Sequence, residues 1–75
     1  MIHKENTQMT EKQKQIRNQL AQDNFDHYLW NNRHMPDDFL LWPLVNAGFT
    51  RSAATKALTF IKNQTVKALK ECGRL

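Results

Sequence analysis

Residues 44–58, Leu44-Val-Asn-Ala-Gly-Phe-Thr-Arg-Ser-Ala-Ala-Thr-Lys-Ala-Leu58, decide the fold. A short helix ends at Gly48, because glycine supplies the positive φ that a tight turn between helices needs. Thr50 then stands where the next helix needs a hydroxyl to cap its first free N–H groups. Small side chains at Ala53, Ala54 and Ala57 let two helices approach closely. Downstream, apolar or small residues recur at Ala54, Ala57, Leu58, Ile61, Thr65, Ala68, Leu69 and Cys72, with no proline or glycine before Gly73. That spacing predicts one long helix over 51–72. Lys56, Asn63, Lys67, Lys70 and Arg74 fall on its opposite side. Phe60 and Val66 lie outside the apolar stripe. Phe60 sits near Lys56 and Lys67, so either another helix covers it or it is exposed for a partner.

Upstream, Asn31-Asn-Arg-His-Met-Pro36 is the clearest break, since two asparagines followed by a proline end a helix. Pro36 suits the first position of a new helix, with Asp37 and Asp38 in the turn where the helix dipole favours acids. This middle helix covers about 36–47. Pro43 lies inside it, so it is short, kinked or restarted there. Before the break, Thr10 and Gln13 have the spacing of a capping box, which opens a helix over about 10–32. Met9, Ile16 and Leu20 share one face of it, whereas Phe25, Tyr28 and Leu29 cluster on another. The jump predicts an irregularity near residues 22–24, or contact with two partners. Phe25, Tyr28, Leu29, Trp30, Phe39, Leu40, Trp42 and Phe49 are expected to form the core where the first helix meets the second. Trp42 is placed inside, and Trp30 either inside or at an interface. Residues 1–9 are polar and aperiodic, and read as a flexible arm. No strand pattern occurs. The expectation is an all-α fold, a small three-helix domain spanning 10–75. Its core is small for a chain of 75 residues, which keeps a homodimer open.

The 44–58 segment resembles the helix-turn-helix of small bacterial and phage regulators. The likeness rests on Gly48 at the turn, Phe49 after it, Thr50 as cap, and Ala54, Ala57 and Leu58 as inward positions. It implies double-stranded DNA as partner, with the motif extending over 44–61. Arg51, Ser52, Thr55 and Lys56 would then reach base edges or the nearest phosphates. Pro43 and the length of the last helix depart from that pattern. The same residues are similar to a ubiquitin-associated domain, through Leu44, Ala47-Gly-Phe49 and the pairs Ala57-Leu58 and Ala68-Leu69. That likeness implies a protein-binding module whose third helix is separate. A plain helical hairpin without a ligand is the remaining reading.

Charge is unevenly spread. The net charge is +4, yet residues 50–75 hold six basic side chains and one acid, a local charge of +5. Such asymmetry calls for an acidic partner, whether DNA or an acidic protein surface, or else serves solubility. Lys62, Lys67, Lys70 and Arg74 are the expected additional phosphate contacts. Enzymatic function is not expected. Ser52 is the only serine and lacks a nucleophile elbow, and no phosphate-binding glycine loop is present. Asp37 and Asp38 are adjacent and diverge on a helix. His3, His27, His34 and Cys72 have no metal-ligand spacing, so neither a metal nor a cofactor is expected, nor a small-molecule substrate. The apolar run Phe39–Val45 is too short to cross a membrane, and a lone cysteine fits a cytoplasmic protein. The functional expectation is a small DNA-binding regulator of the kind phages and plasmids carry. The alternative is an interaction module or inhibitor that engages a host protein through Trp30, Phe60 and Lys67.

Overall fold

Thr10 stands extended at φ −69°, ψ 164° before the first helix, and its hydroxyl accepts from the Gln13 N–H at 3.0 Å. The Gln13 side-chain Oε1 accepts from the Thr10 N–H in return, at 3.1 Å, which completes the capping box. In the computed structural model, which describes residues 9–75, this cap opens α1 (Glu11–Asn31). Two further helices follow, α2 (Asp37–Asn46) and α3 (Arg51–Glu71), and no strand occurs among the described residues. The arm expected over residues 1–9 lies outside the described residues except for Met9, which packs against the core.

α1 is one uninterrupted helix through 22–24, so it does not break there into two segments. The reason is Asn24, which is fully buried on the inner face of α1 after Leu20. A polar side chain occupies a core position there, and the apolar pattern only appeared to jump. The helix ends at Asn32, which adopts the left-handed region at φ 60° and donates its N–H to the Tyr28 carbonyl at 2.7 Å. Asparagine tolerates that conformation better than other residues with a Cβ.

α2 keeps Pro43 without breaking. The lost donor frees the carbonyl of Phe39, on the solvent-facing side, where water can replace it. Pro36 serves as the N-cap, with its carbonyl accepting from the N–H of Phe39 at 3.0 Å. At the other end, the Phe49 N–H reaches the Leu44 carbonyl at 3.1 Å and the Gly48 N–H reaches that of Val45 at 3.0 Å. These two bonds with Gly48 at φ +91° make a Schellman turn, and Phe49 buries against Leu44 as that motif requires. The Gln13 amide also donates to the Ala47 carbonyl at 3.2 Å, which fastens the start of α1 to this turn. Thr50 then caps α3 by accepting from the Ala53 N–H at 3.1 Å. α3 is one unbroken helix of 21 residues, so no separate third helix forms within 51–71. It closes in a second Schellman turn at Gly73, with the Arg74 N–H donating to Leu69 at 2.8 Å.

α1 packs chiefly on α3, and α2 packs on both, more on α3 than on α1. The core comprises Leu20, Leu40, Leu44, Phe49, Ala54, Ala57 and Ile61, with Leu69 buried further along α3. Ala54 and Ala57 allow the close approach that their size predicts. The expected aromatic core is corrected in three places. Trp42 is 67% exposed and Trp30 is 86% exposed, while Phe39 also faces outward. A helix of ten residues that is apolar on all sides can bury only one stripe. Leu40 and Leu44, four apart, take the inner positions and turn Phe39, Trp42 and Val45 outward. Cys72, assigned to the inner stripe, is exposed beyond the end of α3.

The buried polar centre joins α1, α3 and the connection between α1 and α2. The Asn24 carbonyl oxygen accepts from the Met35 N–H at 2.7 Å, which identifies its other terminal atom as the amide nitrogen. That nitrogen donates to the Thr65 hydroxyl at 2.8 Å and approaches His34 Nδ1 at 2.9 Å. An amide nitrogen only donates, so His34 Nδ1 is the acceptor and its proton resides on Nε2. Thr65, itself buried, donates its hydroxyl hydrogen bond to the Ile61 carbonyl at 2.9 Å. Burial lowers the His34 pKa below its usual value, the positive charge of Lys62 lowers it further, and Asp37 partly opposes both.

Candidate nucleic-acid interface

Successive α-helical residues turn by about 100°, so Thr59, Ser52, Lys70, Asn63, Lys56 and Lys67 fall within a sector of about 80°. All six are exposed, on the side of α3 opposite Ala54, Ala57, Ile61 and Thr65. The sector holds only lysine, serine, threonine and asparagine. Glu71, the sole acid after residue 50, lies off it at the end of the helix. From Lys56 to Lys70 the face measures about 21 Å along the axis, equal to about six base-pair steps of duplex rise.

The other expected contacts are dispersed. Arg51 and Thr55 lie on the edge of α3 nearer α2, both exposed. The Thr55 hydroxyl donates to the Arg51 carbonyl at 3.0 Å, and that of Thr59 to the Thr55 carbonyl at 3.3 Å. Their hydroxyl protons are therefore engaged within the helix. Lys62 lies on this same edge, further along α3, where its Nζ is 2.8 Å from a carboxylate oxygen of Asp37 at the start of α2. That carboxylate already neutralises it, which separates Lys62 from the other lysines of α3. Among the described residues, Lys56, Lys67 and Lys70 form no ion pair with the chain's own carboxylates. Arg74 lies past the helix end, exposed.

Sequence reasoning missed Arg17. Its guanidinium carbon stands 3.8 Å from the centroid of the Phe60 ring, a cation–π stack that covers the phenyl from α1. Arg17 also donates through Nη2 to the Asn18 side chain at 3.1 Å. Phe60 is therefore half-buried under a cation, which answers the question its position outside the apolar stripe had raised. The stack brings a positive charge from α1 to the Lys56 edge of α3, beside a hollow of about 140 Å³ that both cations line. The signal was present in the sequence as an unexplained Phe60, but no local rule links it to a residue 43 positions earlier.

Among the described residues, no group of three histidine, cysteine or carboxylate side chains that could hold a metal comes together, and no helix is long and apolar enough to cross a membrane. No protein-family model, no curated protein and no solved structure matches this chain.

Proposed function

We propose that this chain binds double-stranded DNA through the outward face of α3. The observation that carries this reading is the acid-free sector of Ser52, Lys56, Thr59, Asn63, Lys67 and Lys70, whose lysines carry no internal counter-charge among the described residues. Lysines on such a face displace counterions from phosphates, and the short polar side chains between them suit base edges and sugar. Gly48 and Thr50 set the angle at which α3 leaves α2, as in the helix-turn-helix regulators that the segment resembles. Arg51 and Arg74 extend the positive surface at the two ends, and Arg17 widens it from α1. Lys62 is left out of the contact set because Asp37 holds it.

Amide chemical-shift mapping during titration with a random duplex tests the assignment residue by residue. The expected result is perturbation concentrated at 52, 56, 59, 63, 67 and 70, with little change at Asp26 or Gln22 on the exposed side of α1. Perturbation confined to α1, or none at low salt, refutes it. A second reading, an acidic protein surface as partner, is favoured by Trp30, which stands exposed at the end of α1 as an anchor side chain would. That reading predicts loss of the captured partner on Trp30→Ala and no response to duplex DNA.

A further inference from the structure

Among the described residues, the outer face of α2 is apolar and uncovered. Phe39 is 64% exposed and Val45 57%, on either side of the exposed Trp42, with Leu41 half-buried beside them. Asp38 and Asn46 close the two ends of this stripe. The arrangement is symmetric in sequence: Phe39 and Val45 each lie three residues from Trp42, and Asp38 and Asn46 each lie four residues from it.

We propose that this face seats a second copy of the same chain, with the two α2 helices antiparallel about a two-fold axis at Trp42. In such an isologous contact the positions exchange across the axis. Phe39 of each copy meets the other's Val45, and the Trp42 side chains meet each other. Each Asp38 carboxylate meets the amide of the other copy's Asn46. Every pairing is complementary: apolar on apolar, acceptor on donor. A parallel pairing would instead place the two Asp38 carboxylates together. α2 has no basic residue, so only the antiparallel order carries Asp38 to the opposite end of its neighbour. There the Schellman turn leads into the exposed Arg51, which offsets the carboxylate's unfavourable place near helix carbonyls.

The area fits a weak dimer. A large aromatic side chain contributes about 150–250 Å² when fully covered, so the exposed parts of Phe39, Trp42 and Val45 amount to about 400 Å² per copy. Two copies bury about 800 Å² from these side chains alone. Asp38, Leu41 and Asn46 bring the total towards the ~1,200 Å² at the low end of specific complexes. Association is therefore expected to be weak.

Sedimentation equilibrium of the full chain from about 1 µM to 1 mM, without nucleic acid, tests the proposal. The weight-average mass should climb from 8.9 kDa towards twice that value. Trp42→Asp places two like charges on the axis and should leave a monomer at every concentration, with the helical circular dichroism intact. Asn46→Asp sets two carboxylates against each other and should weaken association at least tenfold. Adding Asp38→Asn to it gives each pair one carboxylate and one amide again, so the double variant should regain most of the lost affinity. A chain that stays monomeric at 1 mM overturns the proposal and leaves the stripe to a different protein. Association undiminished by Trp42→Asp, or a double variant no better than Asn46→Asp alone, overturns it too.

Discussion

Replacing Asn24 by alanine should be among the most damaging substitutions in this chain, although no reading of apolar spacing would single it out. Asn24 is fully buried and makes three polar contacts, with Met35, Thr65 and His34, between 2.7 and 2.9 Å. Alanine leaves the half-buried Met35 N–H without its acceptor, and an orphaned buried donor costs about 1–3 kcal/mol. Thr65 keeps its bond to the Ile61 carbonyl but loses the donor to its oxygen. The space vacated by the amide adds a cavity contribution of about 1 kcal/mol. A total near 3 kcal/mol is large against the roughly 4–11 kcal/mol expected for a chain of 75 residues. In a domain of this size each kcal/mol shifts the melting temperature by about 4–8 °C, so the midpoint should fall by about 12–24 °C. Thermal unfolding followed at 222 nm measures this directly, and urea titration gives the free energy. A fall of less than about 4 °C would show that the α1–α3 contact does not depend on this centre, and would refute the reasoning.

His34 gives the pH dependence. Its folded pKa lies below the ordinary 6.5, so on acidification the unfolded chain takes up the proton first. Its contribution to stability is therefore whole above pH 6.5 and falls as pH drops from 6.5 towards the folded pKa. The slope is at most ~1.4 kcal/mol per pH unit. Urea midpoints at pH 7.5 and 5.5 should drop more for the native chain than for His34→Gln, and a larger drop in the variant contradicts this. Gly48→Ala should destabilise by about 1–2 kcal/mol, because φ is +91° while the added Cβ meets only the Gln13 amide at 3.5 Å. Gly48→Asn should cost less than alanine, and equal losses in melting would show that the backbone is not the cause. Lys62→Gln should leave the salt dependence of DNA binding unchanged, since Asp37 already holds that ammonium, whereas Lys67→Gln should reduce its slope by about one unit.

The parts of the fold that were legible in the sequence are those set by rules acting within four or five residues. Thr10 with Gln13, Gly48, Thr50 and Gly73 each cap or stop a helix by hydrogen bonds to near neighbours, and each stands where its residue type predicts. The inner stripe of α3 was legible because Ala54, Ala57, Ile61, Thr65 and Leu69 repeat over about four turns. α2 was not, because an uninterrupted apolar run has no polar side to mark its outer face. Trp42 was therefore assigned to a core that Leu40 and Leu44 fill. Asn24 was unreadable for the converse reason: its burial depends on Met35, Thr65 and His34, which chain separation hides. The lysines of α3 looked equivalent in sequence, but Asp37 reaches Lys62 from the preceding helix and separates it from the rest. Arg17 was counted with the nearly neutral first half of the chain, whereas Phe60 draws it to the basic edge of α3.

The most direct test of the α3 assignment is the slope of log affinity against log salt for a random duplex, between 50 and 200 mM salt. Contacts from Arg51, Lys56, Lys67 and Lys70, with or without Arg74, predict a slope of about −3.5 to −4.5. Replacing Lys56, Lys67 and Lys70 together by glutamine should bring it to about −1 to −2. A slope near zero, or one that the triple substitution leaves unchanged, would contradict binding through this face.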